Sequence, residues 1–465
     1  MSYPGLMVSV SGVRGRVGEA LTPEIVASFA AGFGAWAGAR ARARGVTPAV
    51  VVGRDSRVSG ELFQRVVLSA LQSVGCDVID IDLTTTPTCQ LAVEHHHAAG
   101  GLMISASHNP IEWNALKFIG PSGLFLSADE GIDMRRGMEA GIPRATWDGL
   151  GQIVRDDEAV ARHVEQIMAI PFLDVEGIRS RRFRVALDCV RGAGAVILPR
   201  LLERLGCRLS AINLETDGRF PRPPEPVAEN LGDLERLVRN SGAEIGLATD
   251  PDVDRLALVS DAGIAIGEDY TLALATRLVF RHRQGPVVAN LSTSRILDDV
   301  AAEAGRRVIR APVGEVNVAF RMRDEGAAIG GEGNGGVILS ELHLGRDAAV
   351  AVALVLQLLL EDGVPLSVIV ARYPQYSIVK DKLDRPEASL EAVYAALRSS
   401  FSGAEADTQD GLRLTWPDRW LHVRPSGTEP IVRVIAEAPT ESAARELVAR
   451  SRVPLDALRA ELAVR

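Results

Sequence analysis

Three distant segments of the chain share one pattern of apolar and polar positions. In each, a short apolar stretch leads through a polar turn into an amphipathic pattern with helical spacing, which ends at glycine before a second apolar stretch. The polar turns read GRDSRVSG, DCVRGAG and STSR, and the helical patterns end at Gly75, Gly206 and Gly305. The repeat predicts three βαβ units, and strands that alternate with helices favour mostly parallel sheets.

An unusual polar loop follows each of these units. The apolar stretches GLMI, EIGLA and AAIG run directly into SASHNP, TDPDVDR and GEGNGG. A fourth such loop, RPSGTEP, lies between two apolar stretches near the carboxyl end of the chain. Ligands of parallel sheets gather at the carboxyl ends of strands, near the points where the strand order reverses. We therefore expect several domains to face one binding site.

Turn-rich stretches divide the chain into four predicted domains. IPRATWDG, the stretch after Arg255 and ARYPQY mark the breaks, and we expect hinge motion near residues 371–376. DGRFPRPPEP, at 217–226, predicts a long loop inside the second domain. At the amino end, Thr22 and Pro23 suit the start of a helix, so SGVRGRVG is expected to be a loop at the entrance of that helix. The expected domains are 1–150, 151–256, 257–370 and 371–465.

Composition and charge narrow the classes of function. Hydrophobic residues make up 47% of the chain and charged residues 24%, which is typical of a folded globular protein. The net charge of -9 disfavours binding to nucleic acid. The longest apolar run, 348–360, is shorter than the roughly 20 residues that span a bilayer, and the amino end lacks a signal-peptide core. The four cysteines are dispersed and expected to be reduced. Together with the charge and the lack of a membrane span or signal peptide, they fit a predicted cytoplasmic protein without membrane or nucleic-acid partners.

Asp250, Asp252 and Asp254 stand at alternate positions after a predicted strand. A loop that curves there would bring three carboxylates together, and hard oxygen ligands suit Mg²⁺. The alternative is a solvated acidic turn. The buried-looking strand EIGLA in front of the loop favours the metal site.

Two residues suggest group transfer. Ser107 lies in SASHNP, where proline bars a helix and a hydroxyl suits a nucleophile, although a serine-rich structural turn is the alternative. Lys117 follows shortly after, and it is one of only three lysines among 51 basic residues. Arginine cannot give up its proton, so the retention of a lysine suggests a general acid or base. A nearby metal and arginines would lower the pKa of Lys117, and the alternative is a chance surface lysine.

Two further loops suit a phosphorylated sugar. GGEGNGG lets a ligand approach the backbone closely, and the side chains of Glu332 and Asn334 are suited to sugar hydroxyls. Because the G-K-[ST] ending is missing, a nucleotide P-loop is not supported. In RPSGTEP an arginine, two hydroxyls and exposed amides would hold a phosphate monoester, and Arg433 adds charge. Ordinary glycine-rich or surface turns are the alternatives. The predicted phosphate ligands are Arg424, Ser426, Gly427 and Thr428.

Taken in order, the four loops resemble those of the α-D-phosphohexomutase superfamily, and the resemblance spans essentially the whole chain. SASHNP matches the phosphoserine loop of that family, DPDVDR its metal loop, GEGNG its sugar loop and RPSGTEP its phosphate loop. The resemblance implies an α/β fold of three tandem mixed-sheet α/β domains and a smaller C-terminal α+β domain, TATA-binding-protein-like, around a central cleft. It also implies an isomerase that interconverts 1-phospho and 6-phospho sugars.

The resemblance also implies roles for individual residues. Ser107 would be the phosphorylated nucleophile, and an oxygen of the phosphoserine would join the three aspartates around Mg²⁺. Lys117 matches the general acid or base of the family and Arg14 its amino-terminal active-site arginine, while His108 of the serine loop is a further catalytic candidate. Glu332 would read the sugar hydroxyls. The expected substrate-binding residues are Arg255, Glu332, Asn334, His343, Arg346, Arg424, Ser426, Gly427, Thr428 and Arg433.

Two loops depart from the pattern of the family. NALK stands where many relatives have N-G-x-K, and GEGNGG lacks the histidine of GE-x-SGH, so His343 or Arg346 is expected to replace that histidine.

This version of the loops resembles a branch that usually acts on glucosamine phosphate, with a sugar 1,6-bisphosphate as intermediate and activator. Mannose or glucose phosphate is the alternative substrate. A Mg²⁺-dependent phosphatase with Asp250 as nucleophile and an inactive sugar-phosphate-binding protein are further alternatives, and a monomer or homodimer is expected.

Overall fold

The computed structural model describes residues 5–9, 12–384, 388–426 and 431–463, with side chains through residue 456. The strands within these ranges form four sheets that follow one another along the chain. The first domain contains β1 (Met7–Val8), β2 (Gly12–Arg16), α1 (Pro23–Ala43), β3 (Ala49–Arg54), α2 (Gly60–Gln72), β4 (Asp77–Leu83), α3 (Thr86–His95), β5 (Gly100–Ile104), β6 (Trp113–Ile119), α4 (Ala128–Ala140) and β7 (Ile153–Arg155).

The first sheet differs from the expectation at two points. Its strand order is β1-β2-β6-β5-β3-β4-β7. Helix α1 begins at Pro23 as predicted, but Arg14 lies in strand β2 rather than in a loop, because β2 pairs antiparallel with β6. Strand β7 pairs with β4, so the first sheet continues past the boundary expected at residue 150.

The second domain is built around a sheet of four strands. Its elements are α5 (Ala159–Met168), α6 (Val175–Arg181), β8 (Arg184–Asp188), α7 (Gly194–Arg204), β9 (Arg208–Ile212), a 3-10 turn at Ala228–Asn230, α8 (Gly232–Ser241), β10 (Ile245–Thr249) and β11 (Leu256–Ser260). The predicted loop at 217–226 lies between β9 and the 3-10 turn. Strand β11 pairs antiparallel with β10, so the boundary expected after residue 256 falls inside a strand.

The third domain has the same number of strands. Its elements are α9 (Asp269–His282), β12 (Val287–Asn290), α10 (Ile296–Glu303), β13 (Val308–Ala311), α11 (Glu315–Glu325), β14 (Ile329–Glu332), β15 (Gly336–Leu339), α12 (Ala348–Asp362) and α13 (Leu366–Val370). In its described residues the fourth domain is a five-stranded antiparallel sheet in the order β16-β20-β19-β18-β17 with two helices. Its elements are β16 (Ser377–Asp384), α14 (Leu390–Ser400), β17 (Glu405–Asp407), β18 (Leu412–Thr415), β19 (Trp420–Pro425), β20 (Ile431–Ala438) and α15 (Glu441–Ala463).

One strand arrangement recurs in the first three sheets and confirms the predicted repeat. The orders β4-β3-β5-β6, β9-β8-β10-β11 and β13-β12-β14-β15 are equivalent, and in each the last strand is antiparallel to the other three. The sheets are therefore mixed. The predicted polar loops follow β5, β10 and β14, where the chain turns back into the antiparallel strand.

The second and third domains share one apolar core. Helix α12 is buried from Ala348 to Leu359, and it packs against α5, α6 and α7 of the second domain as well as α9 of the third. The first and fourth domains have apolar clusters of their own. The longest apolar run of the sequence is thus an internal helix. Within the described part of the chain, no helix is both long enough and apolar enough to cross a membrane.

Candidate active site

Residues from all four domains surround one cavity of about 610 Å³. Asp250 and Asp252 are fully buried beside Asp254, which reaches the cavity wall. The structure therefore brings together the polar loops that lie far apart in the sequence. The predicted site residues that line the cavity are Arg14, Ser107, His108, Lys117, Asp254, Arg255, Glu332, Asn334, Arg346, Arg424 and Arg433.

Ser107 occupies the loop after β5 with a left-handed backbone, at a φ of 49°. Only 4% of the residue is exposed, and its Oγ donates a hydrogen bond to Asp250 Oδ2 at 2.7 Å. His108 Nδ1 lies 3.4 Å from the same Oγ. Burial, reinforced by the charges of Arg255 and Arg14, lowers the pKa of His108 well below its usual 6.5. The serine hydroxyl therefore contacts a carboxylate and has an uncharged imidazole beside it at neutral pH.

The three aspartates of the DPDVDR loop form one buried cluster. Each offers one oxygen, and these atoms lie within 4.8 Å of one another. Burial raises the pKa of Asp250 well above its usual value, and the charges of Asp254 and Asp252 add to the rise. For Asp252 the effect of burial is outweighed by the ammonium of Lys117, which lowers the pKa. The Oδ1 atoms of Asp252 and Asp254 are buried without a hydrogen-bond donor. Such oxygens fit a hard divalent cation such as Mg²⁺.

Lys117 projects from strand β6 onto the same cluster. Its Nζ lies 2.5 Å from Asp252 Oδ2 and 3.5 Å from Asp254 Oδ2. Thr86, at the start of α3, bonds to Asp252 and lies 3.3 Å from the same Nζ. Burial by itself lowers the pKa of Lys117, but the two carboxylates more than offset it and the pKa is raised. With these neighbours the attraction of two carboxylates outweighs burial. The predicted lowering refers to a site that also holds a metal ion, so it stays a prediction.

Arg346 joins the GEGNGG loop to the DPDVDR loop. Its Nη1 lies 2.7 Å from Glu332 Oε2, its Nη2 lies 2.7 Å from Asp254 Oδ2, and its Nε lies 3.0 Å from Glu315 Oε2. Asn290 Nδ2 donates to Glu332 Oε1 at 2.8 Å. Burial alone would raise the pKa of Glu332, but the charge of Arg346 and the bond from Asn290 lower it overall. Glu332 is thus an ionised carboxylate on the cavity wall.

Only one of the two residues expected to replace the histidine of the family reaches the cavity. Arg346 lines it and donates from Nη1 to Asn334 Oδ1 at 3.2 Å. His343 is buried, its Nδ1 accepts the N–H of Gly345 at 3.2 Å, and its Nε2 lies 3.2 Å from Asp347 Oδ2. Both ring nitrogens are used inside the fold, so the geometry favours Arg346 over His343 as a substrate contact.

The wall contributed by the fourth domain is positively charged. Arg424 on β19 lies directly opposite Arg433 on β20, and both line the cavity together with Lys380 of β16. Opposed side chains on neighbouring antiparallel strands project from the same face. Two guanidinium groups and one ammonium group therefore border the cavity on this side, as an anionic ligand requires.

The remainder of the predicted phosphate loop is described only in part. Ser426 is half-buried, and its N–H donates to Ile431 O at 2.9 Å, which joins the facing ends of β19 and β20. Gly427 and Thr428 fall outside the described residues, so their role stays a prediction.

Several residues at this site were not predicted from the sequence. Asn290 ends strand β12 in the third repeat, so the rule that ligands gather at strand ends could have indicated it. Glu225 lies in the predicted loop at 217–226, and its Oε1 is 3.2 Å from Arg255 Nη1. Thr86 and Glu315 begin helices that the sequence pattern did not connect with the site. Their partners are distant in the chain, so no local pattern marks them.

Four family models match successive parts of the chain. They describe the alpha/beta/alpha domains I, II and III and the C-terminal domain of phosphoglucomutase/phosphomannomutase. The matched residues are 6–140, 161–263, 267–376 and 376–452. The matches follow the order of the four sheets described above.

Similar proteins cover nearly the full length of the chain. A probable phosphoglucosamine mutase of Methanopyrus kandleri is 38% identical, with 95% of this chain and 96% of the relative covered. A phosphoglucomutase/phosphomannomutase of Thermococcus kodakarensis is also 38% identical, with the same coverage of 95% and 96%. Among solved structures, a phosphoglucomutase/phosphomannomutase family protein of Burkholderia thailandensis superposes with a TM-score of 0.83 at 27% identity, over 97% of this chain and 98% of that one.

Proposed function

The chain belongs to the phosphoglucomutase/phosphomannomutase family of phosphohexomutases, and on this premise we propose that it is a phosphoglucosamine mutase. The enzyme interconverts glucosamine 6-phosphate and glucosamine 1-phosphate. A phosphorylated Ser107 gives its phosphoryl group to the free hydroxyl of the substrate, and the resulting sugar 1,6-bisphosphate returns its other phosphate to the serine. One observation carries the proposal: Ser107 Oγ lies 2.7 Å from the buried Asp250, on a cavity that four domains surround.

Asp250, Asp252 and Asp254 are proposed to hold Mg²⁺ together with an oxygen of the phosphoserine. The buried Oδ1 atoms of Asp252 and Asp254, which lack donors, support this assignment. When bound, Mg²⁺ supplies positive charge that offsets the charge of the phosphoryl group during transfer.

Proton transfer is assigned to Lys117. Its carboxylate neighbours keep it protonated, so its ammonium is suited to give a proton to Ser107 Oγ as the phosphoryl group leaves and to take up the proton that the attacking sugar hydroxyl releases. When the other phosphate returns to Ser107, the same two transfers run in reverse. Arg424 and Arg433 are suited to the phosphate that does not react. After the bisphosphate turns around, the same arginines would hold its other end, while Glu332 accepts hydrogen bonds from the sugar hydroxyls.

Two lines of support favour glucosamine phosphate as the substrate. The loops GGEGNGG and ELHLGRD resemble those of the branch usually assigned as phosphoglucosamine mutase, and the Methanopyrus kandleri relative is named a probable phosphoglucosamine mutase. The Thermococcus kodakarensis relative, which is equally similar, favours a phosphomannomutase or phosphoglucomutase with the same mechanism as the second candidate.

A cytoplasmic location is proposed as well, and the four free cysteines are consistent with a reducing compartment.

The substrate proposal is tested by comparing kcat/KM on three hexose phosphates. The Mg²⁺-loaded, phosphorylated enzyme is given glucosamine 6-phosphate, mannose 6-phosphate or glucose 6-phosphate, and formation of each 1-phosphate is followed. We expect a clear preference for glucosamine 6-phosphate. A preference for either other sugar would contradict the substrate and leave the mutase mechanism standing.

The nucleophile is tested by intact mass after exposure to glucose 1,6-bisphosphate. The wild type is expected to gain one phosphate, and Ser107→Ala is expected to gain none. Ser122→Ala, which alters an exposed serine after β6, is the matched control and should behave as the wild type. Phosphate on the Ser107→Ala protein would exclude Ser107 as the acceptor. Release of inorganic phosphate without isomer would instead favour the phosphatase with Asp250 as nucleophile.

A further inference from the structure

A fully buried arginine lies beneath the loop that carries Ser107. Arg57 follows β3 in the first polar turn of the sequence repeat, and only 1% of it is exposed. Its Nε donates to Asp55 Oδ2 at 3.1 Å, which leaves the four N–H groups of Nη1 and Nη2. These donate to backbone carbonyl oxygens at 2.6–2.9 Å, those of Ser107, Asn109, Pro110 and Trp113. All five N–H groups of the guanidinium are therefore used within the first domain.

The bonded carbonyls belong to residues 107–113, a segment that begins at the strained backbone of Ser107. Ser107 has a positive φ of 49°, which costs energy for a residue other than glycine and persists only where the surroundings hold it. Asp55 reinforces the arrangement, because Ser105 Oγ donates to it at 2.7 Å and accepts the N–H of Ser107 at 2.9 Å. The orientation of the nucleophile thus depends on Arg57 and Asp55.

The second domain covers Arg57 from the other side. The ring of Phe220, in the loop at 217–226, lies 5.0 Å from the guanidinium carbon of Arg57. Gly218 of the same loop approaches so closely that an added Cβ would stand 2.2 Å from Ser56 O. Ser56 Oγ in turn donates to Arg191 O of the second domain at 2.7 Å. The five in-plane bonds leave the face of the guanidinium free for an aromatic ring, and that ring comes from another domain.

We propose that Arg57 is a positioning residue for the Ser107 nucleophile, and that Phe220 holds Arg57 in place from across the domain interface. This inference rests on the proposed function, because it takes Ser107 as the group that reacts. Neither side chain lines the cavity or lies among the predicted substrate ligands. Their loss should therefore slow phosphorylation of the serine while substrate binding is kept.

Substitutions of Phe220 can separate an effect on the phosphorylation rate of Ser107 from an effect on substrate binding. Phe220→Leu keeps an apolar side chain but loses the aromatic face, and Phe220→Tyr restores that face. The rate of Ser107 phosphorylation by glucose 1,6-bisphosphate is measured in a single turnover by intact mass, and KM for glucosamine 6-phosphate is measured alongside. We expect Phe220→Leu to slow phosphorylation about 10-fold with KM changed less than about threefold, and Phe220→Tyr to recover most of the rate.

Arg57→Lys tests the carbonyl contacts, because the three N–H groups of one ammonium cannot reach four carbonyls and a carboxylate. A loss of about 100-fold in the phosphorylation rate is expected. Arg219→Ala changes an exposed arginine next to Phe220 in the chain and is the matched control, with the wild-type rate expected. A wild-type phosphorylation rate in both Phe220→Leu and Arg57→Lys would overturn the proposal. A rise in KM as large as the fall in rate, in either variant, would overturn it as well.

Hydrogen exchange separates this inference from the proposed function. The amides of residues 105–113 are expected to exchange faster in Phe220→Leu than in the wild type or Arg219→Ala, whether or not the serine reacts. If the wild type takes up no phosphate, the proposed function fails, and unchanged exchange in this loop would then overturn the positioning role independently.

Discussion

Arg346 Nη2 lies 2.7 Å from Asp254 Oδ2, so a side chain of the third domain is bonded to an aspartate of the second domain. The same guanidinium bonds to Glu332 and Glu315. All four groups are buried, so water cannot solvate their charges. The positive charge of the guanidinium and the negative charges of the three carboxylates stabilise one another instead. The relative position of the second and third domains is therefore fixed at the active site itself.

Replacement of Arg346 by methionine is expected to destabilise the protein. Three buried carboxylates would lose the guanidinium that they share, and breaking buried ion pairs in this way costs about 3–5 kcal/mol. The free energy of unfolding is measured by guanidinium titration followed by circular dichroism. Arg323→Met, which removes an exposed arginine from helix α11, is the control and should change the result little. Unfolding of Arg346→Met at the wild-type midpoint would show that the carboxylates do not depend on this arginine.

Asp250→Asn is expected to change stability in opposite directions with and without Mg²⁺. Without the ion, burial beside Asp254 and Asp252 raises the pKa of Asp250, so the wild type must either keep a buried charge or take up a proton, and the amide of Asn avoids this cost. The variant should therefore melt above the wild type. Mg²⁺ at about 100 times its Kd should stabilise the wild type by about 2.7 kcal/mol and the variant much less. Thermal unfolding in EDTA and in MgCl₂ measures both effects. Equal stabilisation of variant and wild type by Mg²⁺ would place the ion elsewhere. Asp148→Asn, on an exposed turn, is the control and should respond to Mg²⁺ as the wild type does.

Because of Asp269, at the start of helix α9, we expect the protein to lose stability as pH rises. Burial, with smaller contributions from Glu268 and Glu437, raises the pKa of this carboxyl group to about 8. Between about pH 4 and pH 8 the folded protein holds a proton that the unfolded chain has lost, so stability falls as pH increases. Asn cannot bind that proton, so Asp269→Asn should show a smaller fall in melting temperature between pH 5 and pH 8.5. A fall of the same size in both proteins would exclude Asp269 as its cause.

Because of His422, we expect stability to depend on pH in the opposite direction at lower pH. Its Nε2 donates to Asp410 O at 2.7 Å and its Nδ1 lies 2.9 Å from Ser292 Oγ of the third domain. Burial lowers the pKa of His422 to about 4. Between about pH 6.5 and pH 4 only the unfolded chain binds the proton, so stability is lost as pH falls. Melting temperatures at pH 4.5 and pH 7 should differ less for His422→Gln, and an unchanged difference would contradict this account.

Sequence pattern located the loops of the site but not the residues that support them. SASHNP, DPDVDR and GEGNGG follow strands of a repeated unit, so local periodicity was enough to place them at one edge of each sheet. Arg57 could not be predicted in this way, because arginine is usually exposed and its carbonyl partners lie about fifty residues away. His343 and Arg346 share one loop, and only the packing against Asp347 decides which of them faces the cavity.

The apolar core shared by the second and third domains determines how the cleft can open. Separating those two domains would expose helix α12 to water, at a cost that grows with the apolar area uncovered. The fourth domain instead contacts the third through polar groups, such as Arg295 with the carbonyl oxygens of Trp416 and Pro417, and water can replace such bonds at small net cost. Substrate entry, the half-turn of the bisphosphate and product departure should therefore all use the side of the cleft that the fourth domain closes.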